Sequence, residues 1–140
     1  MESTIKKENE RKKEYLRKYK ESVSRERAIL DEIQRLRMDK MFPSVVNDGM
    51  PHASECGDLS DYMVLMDRQI EKLKRERLEK MKIYADIENR ICAMDDETEK
   101  EILRLKYIKG NSFEKIAVQM NYSYRHVIRL HGDALQNFIL

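Results

Sequence analysis

Tryptophan is absent from this chain of 140 residues, and proline (2), cysteine (2) and glycine (4) are all scarce. So few backbone breakers leave little material for the tight turns of a sheet protein. Two thiols, Cys56 in an expected loop and Cys92 in an expected helix, do not make a disulfide framework. A reduced, intracellular protein is the simpler expectation. No apolar run approaches the ~20 residues that a membrane span needs. The first residues, MESTIKKENERKKEYLRK, hold no apolar core of a signal peptide. A soluble, cytoplasmic protein is therefore expected.

The chemistry of catalysis is equally thin. There is no glycine-rich phosphate loop and no nucleophile with a base beside it, so no enzyme is expected. His52, His126 and His131 are the only histidines. His126 and His131 stand five apart, roughly 140° around a helix, with no cysteine or carboxylate at ligand spacing. No metal and no cofactor are expected. His126 is assigned to a phosphate contact and His131 to helix packing.

What the chain has is charge. Charged residues make up 39% and hydrophobic ones 41%, a balance that favours long, exposed, amphipathic helices and an all-α fold. The net charge of +2 conceals an uneven distribution. Residues 1–41 carry +4 and residues 42–94 carry −2. Five acids crowd into DDETEKE at 95–101, and from 102 onward the count is 6 basic to 2 acidic. The C-terminal end is locally basic although the protein is not.

Residues 4–41 lack glycine and proline and are rich in helix formers. Tyr15, Leu16, Tyr19, Val23, Ile29, Leu30, Ile33, Leu36 and Met41 trace an apolar stripe at spacings of three and four. IKKENERKKE, ahead of the stripe, has no apolar face and is expected to fray. Phe42-Pro43 ends the helix, and residues 42–58 read as a loop. A second helix is expected over 59–93, capped by Asp58 or Ser60. Its stripe runs through Leu59, Met63, Met66, Ile70, Leu73, Met81, Tyr84, Ile87 or Glu88, Ile91 and Met94. Two such helices imply an antiparallel hairpin over residues 1–94. Residues 95–140 then form a small domain of their own. Asp96 and Glu99 have capping-box spacing for a third helix that buries Ile102, Leu103, Leu105 or Lys106, and Ile108. Gly110 closes it.

The remaining stretch is NSFEKIAVQMNYSYRHVIRLHGDAL, residues 111–135. Ser112 caps one helix, Asn121-Tyr122-Ser123 makes a turn, and Ser123 caps the next. A helix-turn-helix needs a small residue at the crossing, supplied by Ala117. It needs a turn residue tolerant of positive φ, supplied by Asn121. Ile116, Met120 and Tyr122 precede the crossing, and Val127 and Leu130 come after it. In the last helix Val127, Leu130, Ala134, Leu135 and Phe138 face inward. Tyr124, Arg125, Ile128 and Arg129 face outward on its first two turns, where a recognition helix meets base edges. Arginine pairs bidentately with guanine, and an apolar side chain touches a thymine methyl. Lys115 is the expected phosphate partner. A helical core hairpin with a solvated basic face fits the same spacing, but leaves the outward Ile128 unexplained.

ETEKEILRLKYIKGNSFEKIAVQMNYSYRHVIRLHGDAL resembles the region-4 domain of bacterial sigma-70 factors. The whole chain is similar in layout to small phage and prophage regulators of the RinA and ArpU type. The Met50-Pro51 loop, the LSDYM helix opening and the RLH…AL ending carry that likeness. The resemblance implies contact with promoter DNA of the −35 type through Tyr124, Arg125, Ile128 and Arg129, with His126 and Ser123 nearby. Tyr124 and Ile128 depart from the charge sigma factors usually carry there, which implies a different preferred sequence. The expectation is a sequence-specific regulator that binds double-stranded DNA beside RNA polymerase or a host sigma factor. The hairpin would serve self-association, as a dimer, or polymerase contact. Two rivals stand beside it: a small-terminase-like DNA-packaging subunit, and a protein-interaction module that binds polymerase or sigma factor without DNA.

Overall fold

The computed structural model describes residues 1–41 and 55–140, with side chains over 1–39 and 59–140. The protein is all-α: the described residues form helices and turns and include no strand. The helices are α1 (Glu2–Met41), α2 (Glu55–Cys92), α3 (Glu97–Leu103), α4 (Phe113–Met120) and α5 (Tyr124–Asn137). A π-helical turn, Arg104–Ile108, continues α3.

The second helix begins at Glu55, not at 59, so Asp58 and Ser60 lie inside it and do not cap it. Cys56 is thus helical and not in a loop. Gly57 favours a break by its residue type. A helical glycine costs only about 1 kcal/mol, however, which the hydrogen bonds of a longer helix offset. The rest of the expected loop, with His52 and Met50-Pro51, lies outside the described residues.

Compactness divides the chain into two units, and the division does not coincide with the expected boundary at 94/95. One unit joins Met1–Ser22 to Lys80–Leu140, and the other is Val23–Glu79. In the second unit the two long helices pair antiparallel. Arg25 Nε reaches Glu76 at 3.2 Å, and Ile29, four residues later, shares a recess with Lys72. Ile33 is buried there, while Val23, Ile29, Leu36, Met66, Ile70 and Leu73 are half-buried. Exposed ion pairs add at most about 1 kcal/mol each, so the apolar seam holds this pairing. Leu30, Leu59 and Met63 belong to the expected stripes but are exposed. A 3.5-residue spacing drifts around a 3.6-residue helix, and outlying members leave the seam.

The first unit has two cores. Leu16 of α1, Ile87 and Ile91 of α2, Met94, Leu103 and Tyr107 pack with Ala134, Leu135 and Phe138. Ile102, Leu105, Ile116, Ala117 and Val127 form the other, with Phe113, Met120 and Leu130 against it. Met81 and Tyr84 of this unit also belong to the expected stripe and are exposed, although the Tyr84 ring still meets Tyr19 at 5.7 Å. The start of α1 is not frayed. Lys12 is only 6% exposed, and its Nζ donates to the carbonyl oxygens of Leu135 at 2.8 Å and Gln136 at 3.3 Å. A cation at a helix C-terminus satisfies orphan carbonyls and complements the dipole. No local pattern could announce it, because the partner lies 123 residues away.

The π turn changes which residues face the core. Lys109 N–H donates to Arg104 O at 2.9 Å, a five-residue step. The extra residue rotates the later positions of the helix, so Tyr107 is buried where Ile108 was expected, and Ile108 is only partly covered. Half of the expected capping box forms. Asp96 Oδ1 accepts from Glu99 N–H at 3.0 Å, but the buried Glu99 carboxylate accepts from Asn137 Nδ2 at 2.9–3.0 Å. That bond ties the start of α3 to the end of α5.

Candidate nucleic-acid interface

Both caps of the 111–135 stretch form as the sequence suggests. Ser112 Oγ accepts from Lys115 N–H and Ser123 Oγ from His126 N–H, each at 3.2 Å. Helix α4 ends on Asn121, which is left-handed at φ 58°, ψ 43°. Asparagine tolerates that conformation better than other non-glycine residues, because its short amide hydrogen-bonds locally. Tyr122 N–H then donates to Ala117 O at 2.9 Å, closing the turn. Gly110, at φ 71°, turns the chain from α3 toward α4. Ile116, Ala117 and Val127 are buried together where α4 and α5 meet, so the small side chain does sit at the contact.

With that face buried, the opposite face of α5 is open. Tyr124 is 48% and Ile128 39% exposed, and Arg125 and Arg129 are exposed beside them. Lys115 is exposed on α4. Six of the seven expected residues therefore lie on the exterior of one helix-turn-helix: Lys115, Ser123, Tyr124, Arg125, Ile128 and Arg129. His126 is half-buried. Its Nδ1 lies 2.8 Å from Arg129 Nη2, and its ring stands edge-on to Tyr122 at 4.8 Å. This imidazole orients the Arg129 guanidinium along the helix.

His131 is a packing residue. It is buried, and Tyr107 Oη lies 2.8 Å from its Nε2. Phe113 meets its ring edge-on at 4.9 Å. Burial pushes the imidazole down to about 4, aided by Lys13, Lys106 and Arg17, and pushes the Tyr107 phenol up to about 12. A protonated phenol beside a neutral imidazole donates to Nε2, which leaves the imidazole hydrogen on Nδ1.

One outward residue had no place in the expected motif: Val118 is 81% exposed on α4. Tyr122, expected to flank the crossing, is instead exposed in the turn, where its ring meets His126. Val118 stands one residue past the buried Ala117, and that offset alone places it outside. Ile128 also borders a cleft of about 410 Å³ that the basic stretch of α1 lines as well.

The fold and this surface define an all-α chain with a capped helix-turn-helix whose second helix presents two arginines, a tyrosine and an isoleucine. No family model, curated protein or solved structure matches the chain. Among the described residues no helix is long and apolar enough to cross a membrane.

Proposed function

We propose that this protein is a sequence-specific, double-stranded-DNA-binding transcriptional regulator of a phage or prophage, of the RinA/ArpU type. On this reading α5 is the recognition helix. Arg125 and Arg129 read bases, Tyr124 and Ile128 meet thymine methyls and sugar edges, and Lys115 holds a phosphate. Host RNA polymerase or its sigma factor is the expected neighbour at the promoter. One observation carries the reading: exposed Tyr124, Arg125, Ile128 and Arg129 share the first two turns of a helix whose cap and preceding turn are both formed. An isolated solvated helix gains nothing from an exposed isoleucine flanked by arginines, whereas a groove-reading helix uses both.

Selection of bound sequences from a random duplex pool tests this. The expected result is one enriched motif, bound less tightly when Arg125 or Arg129 is replaced. Recovery of no motif, with equal binding to every duplex, would refute it.

A further inference from the structure

The basic residues of 1–41 have the spacing of a solvated face on a coiled-coil arm. Three of those cations instead line the cleft that Ile128 borders. Lys13, Arg17 and Lys20, spaced four and three apart on one face of α1, line it together with Lys106, Tyr107, Gly110, Phe113, Ile128 and His131. Among the described residues no carboxylate lines it. Lys13 is engaged by Glu10 at 2.7 Å, but Arg17, Lys20 and Lys106 form no ion pair among the described residues. Lys106 lies over the Phe113 ring at 4.3 Å and is held in place by it. Burial lowers the Lys106 amine from its ordinary value, and the charges of Lys20 and Arg17 lower it further. Glu114 opposes that lowering and Glu10 attracts Arg17, but neither carboxylate lines the cleft. Three like charges are thus gathered into one concave site with only partial neutralisation from outside it, at a cost that a bound polyanion removes.

His131, neutral and engaged by Tyr107, belongs to the wall and not to the anion-binding set. The occupant is indicated by continuity. Ile128 belongs both to the cleft and to the outward face of α5, so a polymer entering the cleft also passes the recognition helix.

We propose that this cleft seats the phosphate backbone of the duplex whose bases α5 reads, with Arg17, Lys20 and Lys106 as the phosphate-neutralising residues. The proposal rests on the DNA-reading function and deepens it. The first helix, outside the helix-turn-helix, becomes part of the DNA interface. Phosphate contacts set register and orientation and carry no sequence information themselves. The cleft cations therefore govern salt dependence and general affinity, while Arg125 and Arg129 govern selectivity.

The test is fluorescence anisotropy of the full chain on a labelled selected duplex and on an unrelated duplex over a potassium chloride series. Arg17→Ala with Lys20→Ala should flatten the slope of log affinity against log salt by about 2, at roughly 0.9 per phosphate lost. Both duplexes should weaken together, leaving their ratio unchanged. Arg17→Lys with Lys20→Arg keeps the charges and should keep the slope, and unchanged thermal melting certifies the fold of each variant. An unaltered slope in the alanine pair, with selectivity still lost in Arg125→Ala, would overturn the cleft assignment and leave the DNA-reading function standing. Salt-insensitive or absent duplex binding by the wild type would overturn both. Binding of poly-glutamate but of neither duplex, abolished by the alanine pair, would give the cleft to an acidic protein and overturn the proposal.

Discussion

His131 shows how one residue's surroundings become a pH dependence. Its folded value of about 4 lies below the ordinary 6.5, so the native state favours the neutral ring. The associated stability is complete above pH ~6.5, and falls as acid protonates the unfolded chain first. The window runs from about 6.5 down to about 4, and by pH 5 the loss should be about 2 kcal/mol. Urea unfolding at pH 7 and pH 5 checks this, with His131→Gln expected to remove most of the difference. An equal loss in that variant would show that other groups carry it. Among the outward residues, Arg125→Ala or Arg129→Ala should each cost ~1–3 kcal/mol against the selected duplex and relax its selectivity, measured by competition with the unrelated duplex. At Asn121 the left-handed backbone sets the outcome. Glycine should be nearly neutral, while valine should cost about 1–2 kcal/mol in a thermal melt.

At the scale of elements, α5 depends on its first cap. Ser123→Ala removes the oxygen that accepts from His126 N–H and should cost about 1 kcal/mol of stability. On the proposed function the same change should weaken DNA binding further, because the exposed face it orders is the proposed reading face. A binding loss no larger than that caused by Ser112→Ala, the matching cap of α4, would separate the cap from recognition. The π turn after α3 is a second such device. It turns Tyr107 inward to His131 and leaves Lys106 over Phe113, so one extra residue per turn sets both a packing contact and the position of a cleft cation.

For the molecule as a whole, the unit formed by Met1–Ser22 and Lys80–Leu140 draws its larger core from four separated stretches. Leu16, Ile87 and Ile91 are fully buried in it. Each is worth ~1.5–3 kcal/mol on burial, and together they approach the total stability of a small domain. A fragment of residues 95–140 alone should therefore show no cooperative melt by circular dichroism, whereas the full chain should. A sharp transition in the fragment would show that the helix-turn-helix folds without α1 and α2. The other unit, Val23–Glu79, exposes Leu59, Val64, Leu65 and Met63, the last at 56%. Leu59 and Met63, four apart, share one exposed face of α2. An apolar face of this kind is what a self-associating helix presents, and a regulator of the kind proposed matches a two-fold site with a two-fold protein. Sedimentation should find a dimer, converted to monomer by Met63→Glu. A monomeric wild type at micromolar concentration would refute the assignment.

The sequence by itself determined the elements that depend on neighbours in the chain. The all-α class came from composition and from stripes at spacings of three and four. The caps at Asp96, Ser112 and Ser123 and the left-handed positions at Gly110 and Asn121 came from residues within four places of each other. Such features are legible because their hydrogen bonds close locally. The outward face of α5 was legible for the same reason, since helical period alone separates Val127 from Ile128. Only the tertiary structure decided what distant residues do. It ordered the start of α1 by giving Lys12 the carbonyl oxygens of α5. It sent the Glu99 carboxylate to Asn137, paired His131 with Tyr107, and brought Arg17 and Lys20 beside Lys106. The physical reason is common to the first three. A buried or crowded polar group must find a partner of opposite character in space, and the chain's own period says nothing about where in the sequence that partner lies.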